Sequence, residues 1–368
     1  MAEDTREGKR TEKIRGQDIT GKVMVLAKTH PQQLILFQTF LPEEDPDDQY
    51  SNTIELYDAI PKHFSNPKQM DAMREGGKYL PILERVFRHR QETYTVQIHP
   101  ARIKDRHGDE KEYYPTPREE LLEDALRKIA CDRLNGIYLD NMAGVQFTLY
   151  ELHKELKRRG HDIKFWSLIE SLTICHHAGL TLCNASGHVV LKSPIFPILL
   201  LSSRQDWVRQ PKETRCYVQF NPLITHCISQ LSYRQFNYGA YMAYTHRLTR
   251  WFHKRLAHNY TQAGMINPYS IKMSTILRDS GAYQSPRPHD NVRRIDEALD
   301  ELKADNVLQS TTAEVQRGPR NSIVDVKYTL YPTLEFIHEV KKANRRMSKL
   351  CELLPRNVSD TRGSRSSS

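Results

Sequence analysis

The sequence predicts an α+β fold in which one unit is used twice: a helix-turn-helix followed by a β-hairpin. Three observations predict it. Periodic apolar stretches run in the order helix, turn, helix, hairpin between residues 147 and 191, and again between about 239 and 330. Glycine and proline fall where such a unit turns, at Gly160, across Gly281 to Pro288, and at Gly318-Pro319. Nearly all of the excess positive charge lies in the second unit. Residues 1–209 carry 30 Lys and Arg against 31 Asp and Glu, residues 210–346 carry 20 against 12, and residues 347–368 carry 4 against 2. The order of elements is that of two tandem winged helices. A basic excess held in one of them points to a face that meets polyanion, most simply nucleic acid.

The elements follow in order. Residues 1–51 form a charged arm, expected to be largely disordered, and its start, MAEDTREGKRTEKIRG, lacks the apolar core of a signal peptide. The acidic stretch 43–52 reads as a linker. Ile54-Glu55-Leu56-Tyr57 alternates as a strand does, and Leu80–His89 and Thr93–Ile98 flank Arg90-Gln91-Glu92 as a hairpin. Lys104–Tyr114 is polar and reads as a loop. A helix then begins with Thr116 as N-cap, Pro117 in the first helical position and Glu119 completing a capping box. Its apolar stripe is Leu122, Ala125, Leu126 and Ile129.

The first winged helix, placed in residues 52–209, has helices at 149–159 and 164–177 and a hairpin of Leu180–Leu182 with Val189–Leu191 around Ser186-Gly187. The second helix buries Phe165, Leu168, Ile169 and Leu172 and leaves Ser167, Glu170 and Ile174 outward, with Lys164 its one basic residue. That is a poor DNA surface, and an outward Ile174 suits a protein contact, so this unit reads as a dimerisation or auxiliary domain. The second winged helix, placed in residues 210–346, has a strand at 216–220, a short helix near 223–231, a long helix at about 239–260, a short helix at 270–278 and a helix at 290–304. Its hairpin is Val307–Val315 with Ile323–Leu330, and a helix at 333–352 follows. The tail 347–368 ends in a polar stretch expected to be mostly disordered.

Helix 290–304 is the candidate recognition helix. Val292, Ile295, Leu299 and Leu302 share its core face. Arg287, His289, Asn291, Arg293 and Arg294 lie before or within its first turns, where a recognition helix meets base edges; arginine suits guanine and asparagine suits adenine. Glu297, Asp300 and Glu301 come later and repel phosphate, so the helix enters a groove by its N-terminal end. The wing tip offers Gln316, Arg317, Arg320 and Asn321 for phosphate or minor-groove contact, or is a plain polar turn. Along the long helix, Arg247, Arg250 and Lys254 form a basic stripe that suits either phosphate clamping or solubility, whereas Arg255 falls on the apolar arc.

No catalytic residue, metal site or cofactor is expected. Glu75-Gly76-Gly77-Lys78 lacks the rest of a phosphate-binding loop, and His176-His177 has no carboxylate or cysteine at metal spacing. Tyr238, Tyr241 and Tyr244 are spaced like the tyrosines of a DNA-nicking initiator, but the last two fit a core better. The six cysteines form no CxxC pair, which fits reduced thiols in the cytoplasm. The longest apolar run, residues 195–201, is far short of the ~20 residues that span a bilayer, and reads as a buried or interface strand.

The segments LPILERVFRHR (80–90), YYPTPREELLEDALRKIAC (113–131), FTLYELHKELKRRGHDI (147–163), FNPLITHCISQLSYRQFNYGAYMAY (220–244) and RLAHNYTQAG (255–264) resemble theta-type plasmid replication initiators, the Rep proteins with tandem winged helices. The resemblance covers roughly residues 52–345. It implies binding to repeated sites in a plasmid origin, duplex opening, and recruitment of the host initiator and replicative helicase. It also implies a homodimer in equilibrium with monomer, the dimer repressing the gene's own operator, with the first unit as dimer interface and the second as main DNA reader. A winged-helix transcriptional repressor, a rolling-circle nicking initiator and a protein-binding scaffold remain the alternatives from sequence.

Overall fold

The chain enters on β1 (Tyr50–Ile54), where strand expectation and structure first part. The Asp58 carboxylate accepts the Ile54 N–H at 2.8 Å and the Thr53 hydroxyl at 2.6 Å. That capture places residues 55–57, expected as strand, in the short helix α1 (Glu55–Ala59). The computed structural model describes residues 49–353 except 65, 75–76, 106, 132–134 and 202–213. Of the arm 1–51 and the tail 347–368, both expected to be largely disordered, residues 1–48 and 354–368 lie outside the described residues, whereas 50–51 belong to β1 and 347–353 to the last helix.

After α2 (Pro67–Met73) come β2 (Leu83–His89) and β3 (Glu92–His99), the expected hairpin. Arg90 and Gln91 at its turn have φ of 47° and 72°, the paired left-handed geometry of a two-residue hairpin loop. The expected loop at 104–114 is instead a second hairpin, β4 (Ala101–Lys104) with β5 (Glu110–Tyr113). Asp105 closes its turn by accepting the N–H groups of His107 and Asp109. Helix α3 (Pro117–Cys131) starts as expected, the Glu119 carboxylate accepting both the N–H and the hydroxyl of Thr116.

Strands β6 (Gly136–Leu139) and β7 (Met142–Thr148) precede α4 (Leu149–Arg158), which opens on a capping box between Thr148 and Glu151. Helix α5 (Phe165–His177) and the hairpin of β8 (Gly179–Asn184) with β9 (Val189–Pro194) complete the first winged helix in the expected order. The hairpin joins β2 and β3 in one sheet, β2-β3-β8-β9. Ile174, expected to face outward, is 1% exposed. Helix α5 packs on α3 and α4 and also against β4 and β9, so it has no single solvent face of the kind a helical wheel assumes.

Strand pairing crosses the boundary expected at residues 209 and 210. In the run 195–201, Ile195 and Phe196 are buried and β10 (Leu199–Leu200) pairs with β11 (Arg215–Gln219). Strand β11 pairs antiparallel with β7. Gly144 allows that approach, since a Cβ there would lie 2.5 Å from the Tyr217 hydroxyl and 2.6 Å from the Val218 carbonyl oxygen. After α6 (Pro222–Ser229), β12 (Tyr233–Asn237) pairs with β1 from the start of the described chain. The second winged helix is therefore carried by later residues. It comprises α7 (Tyr238–Ala243), α8 (Arg247–Asn259), β13 (Tyr269–Lys272), α9 (Met273–Ser280), α10 (Pro288–Ala304), β14 (Leu308–Arg317) and β15 (Ile323–Pro332). Its sheet order is β13-β15-β14, and α11 (Leu334–Leu353) follows.

Two expected helices are divided. Residues 270–278 split into β13 and α9. The long helix at 239–260 breaks between α7 and α8, where Glu301 accepts the Thr245 N–H, the Thr245 hydroxyl and the His246 N–H. A carboxylate at the start of α8 meets the unpaired N–H groups there, so Glu301 acts as a cap and not as the groove-repelling charge expected.

Candidate nucleic-acid interface

Helix α9 ends at Gly281, whose φ of 61° is the left-handed cap that reverses the chain toward α10. The same residue lies under the first unit. A Cβ there would sit 2.6 Å from an Arg85 guanidinium nitrogen and 2.8 Å from Pro61. The connecting turn is clamped to the first turn of α10. Asn291, 3% exposed, accepts the Ser285 N–H at 2.8 Å and donates to the Ser285 carbonyl at 2.9 Å. Asn291 was expected to read bases; with both faces of its amide spent on Ser285 it positions the helix instead. Asn291→Ala leaves two buried backbone groups unpaired and is expected to cost about 1–3 kcal/mol in urea unfolding. An unchanged midpoint would show that the clamp is dispensable.

This clamp aims the rest of the N-terminal turn outward. Arg287, His289 and Arg293 are exposed, and Arg287 and Arg293 form no ion pair among the described residues. Arg294 is half-buried and held, donating to the Tyr283 carbonyl at 2.8 Å with its guanidinium 5.2 Å from the centre of the Tyr283 ring. The opposite face carries Ile295, Ala298, Leu299 and Leu302 into the core, with Val292 half-buried against it, as the wheel predicts. Asp296, Glu297 and Asp300 are exposed further along, so the face is basic at its N-terminal end and acidic beyond it.

The wing projects as two ten-residue strands, about 30 Å at the usual rise. Its tip holds Arg317, Arg320 and Asn321, all exposed. Arg320 and Asn321 have φ of 56° and 61°, and Arg317 donates to the Asn321 carbonyl at 3.2 Å, which orders the tip. Lys272 and Lys327 stand opposite each other on β13 and β15, both exposed. Sequence reasoning missed them, because only strand register brings the two together.

The basic stripe of the long helix is not on this surface. Arg250 and Lys254 are 4% and 8% exposed and face α3. The Lys254 ammonium donates to both oxygens of Asp124, at 2.7 and 2.8 Å, and lies 3.6 Å from Asp58. Arg127 bridges Asp58, at 2.8 Å, and Asp124. Arg247 and Arg250 lie 3.4 and 3.8 Å from Glu120, and Arg250 also donates to the Tyr244 carbonyl at 2.9 Å. Burial pushes the Glu120 and Glu123 carboxyls upward, but the cations around them outweigh it and hold both at about 2. Asp58 is held well below the usual carboxylate range for the same reason. On a wheel the stripe looks solvated; its acidic partners come from α1 and α3, more than a hundred residues earlier. Arg255, which fitted no face, donates to the Tyr269 hydroxyl at 3.0 Å and pairs with Asp279 at 3.3 Å.

The three tyrosines considered for nicking are buried, at 0%, 0% and 3% exposure. The Tyr241 hydroxyl donates to Asp124, and the Tyr244 hydroxyl donates to Asp305 at 2.6 Å. With its one proton given to Asp305, Tyr244 accepts from His253 Nδ1 at 2.9 Å, so His253 carries a proton on Nδ1. Burial, with Lys254 beside it, lowers His253 to about 4. A group depressed in the fold from an ordinary ~6.5 contributes fully above pH ~6.5 and loses that contribution as pH falls toward 4, by about 3 kcal/mol. Urea midpoints should therefore drop between pH 6.5 and 4.5, less steeply in His253→Gln. Parallel slopes in the two proteins would contradict the assignment.

No family model matches the chain, and no curated protein matches it. Among solved structures, a crystal structure of domains 2 and 3 of RctB is similar at 10% identity and a TM-score of 0.43, over 68% of this chain and 90% of that one. A second RctB domain 2–3 structure is similar at 9% identity and 0.43, over 77% and 99%. The Pi initiator protein in complex with iteron DNA is similar at 12% identity and 0.40, over 58% and 91%. Among the described residues no group of three His, Cys, Asp or Glu is placed to hold a metal ion, and no helix is long and apolar enough to cross a membrane.

Proposed function

We propose that the chain is a sequence-specific double-stranded DNA-binding replication initiator, acting at repeated sites in an origin. One observation carries the DNA reading: Arg250 and Lys254 of α8 are buried and paired, whereas Arg287 and Arg293 at the start of α10 and Arg317 and Arg320 at the wing tip are exposed. Arg287, His289 and Arg293 read base edges in a major groove, with Arg294 held beside them by Tyr283. Arg317, Arg320, Asn321, Lys272 and Lys327 hold phosphates on either side. The first unit serves as a dimerisation or auxiliary domain. Repression of the chain's own operator as a dimer, origin binding as a monomer, recruitment of the host initiator and replicative helicase, and a cytoplasmic location belong to the same proposal and rest on the resemblance of the segments quoted above.

Footprinting on the DNA around the chain's own gene separates this reading from a plain repressor. An initiator protects a series of repeats in one orientation. Protection of a single palindrome and nothing else would favour the repressor.

A further inference from the structure

A cavity of 380 Å³ lies between the two winged helices, and no part of the DNA-binding reading uses it. Its volume falls within the ~300–1,000 Å³ typical of small-molecule pockets. Helix α1, the 60–63 segment, the β2–β3 turn and α3 wall it from the first unit, and α8 and α9 wall it from the second. Eight Lys and Arg line it against six Asp and Glu, and each of the six acids is already within ion-pair range of a lining cation.

Guanidinium donors are left over. Arg127, with a side chain 3% exposed, has no hydrogen-bond partner for its Nε, and the Arg247 Nε faces Glu120 Oε2 at 3.4 Å without a hydrogen bond to it. Arg88 lines the same space, is exposed and forms no ion pair among the described residues. A buried N–H without an acceptor costs about 1–3 kcal/mol, so the cavity favours a guest that brings acceptor oxygens. Guanidinium forks match phosphoryl oxygens in particular. Glu120 Oε2 likewise accepts no hydrogen bond, although Arg247 and Arg250 are within ion-pair range of it at 3.4 and 3.8 Å. A guest that carries a hydroxyl as well as a phosphoryl group satisfies both.

We infer that this cavity binds a small phosphoryl-bearing molecule, its oxygens toward Arg88, Arg127 and Arg247 and any hydroxyl toward Glu120. The site is separate from the face of α10, and the inference stands whether or not that face reads DNA.

Calorimetric titration of the full chain at low salt tests it, with pyrophosphate in one series and AMP in the other. The expected result is saturable one-to-one binding with Kd of about 1 mM or tighter for at least one of them. Arg88→Ala and Arg247→Lys each weaken it about tenfold, while Arg293→Ala leaves it unchanged. Equal affinity for both probes assigns the site to the phosphoryl group alone; tighter AMP binding assigns it to a nucleotide-like ester. Absence of saturable binding for both up to about 5 mM overturns the inference. So does binding that Arg293→Ala abolishes and Arg88→Ala does not, because the ions would then sit on the DNA face.

Discussion

Asp124→Ala is expected to unfold at a much lower urea concentration than the parent chain, by an amount equivalent to about 3–5 kcal/mol. Asp124 is 2% exposed and accepts from Lys254, Arg127 and Tyr241 at once. Removing it leaves Arg127 and Lys254 to share the one remaining carboxylate of Asp58 and strands a buried hydroxyl, and a buried charge short of its partner costs more than a pair contributes. The substitution lies on α3 of the first unit, yet it should loosen α8 of the second, because the Asp124–Lys254 pair joins them. Replacing both ends, Asp124→Leu with Lys254→Met, should recover part of the loss, since no lysine is then left buried alone. If Asp124→Ala shifts the midpoint by less than about 1 kcal/mol, the cluster is not the joint described here.

Arg293→Ala has the opposite signature. Its side chain is exposed and unpaired, so stability should stay within about 0.5 kcal/mol of the parent. Specific DNA binding should weaken by about 1–3 kcal/mol, with little change on random duplex. Arg317→Ala at the wing tip should weaken binding to all sequences alike and reduce the salt slope by about one phosphate contact. Lys254→Ala, which the stripe on a helical wheel would place among phosphate contacts, should leave the salt slope of the folded protein unchanged. Equal loss on specific and random DNA for Arg293→Ala would remove its base-reading role.

Local chemistry made much of the fold legible. Thr116 with Glu119 marked the start of α3, and Val292, Ile295, Leu299 and Leu302 marked the core face of α10. The wing was legible from Gly318-Pro319 between two alternating runs. Asp140-Asn141 between β6 and β7 was an equally plain two-residue turn, with φ of 48° and 63°, and could have been read. What was not legible is what depends on distant partners. Nothing near Tyr50 tells that it pairs with Asn237, and nothing near Arg250 or Lys254 tells that Glu120 and Asp124 will neutralise them. Part of the candidate site was hidden for the same reason. Asn291, Arg250 and Lys254 have the residue types a DNA surface needs, and the fold turned them inward, whereas Lys272 and Lys327 became neighbours only through strand register.

The central claim is that the exposed cations of α10 and the wing form a sequence-reading surface. Affinity for DNA flanking the chain's own gene, compared with random duplex at about 50 and 200 mM salt, tests it most directly. The expected result is flanking DNA bound at least about a thousandfold more tightly than random duplex, with both affinities falling steeply as salt rises. Equal and weak binding to the two DNAs would leave only nonspecific attraction to a basic face, and the assignment of α10 as a recognition helix would be wrong.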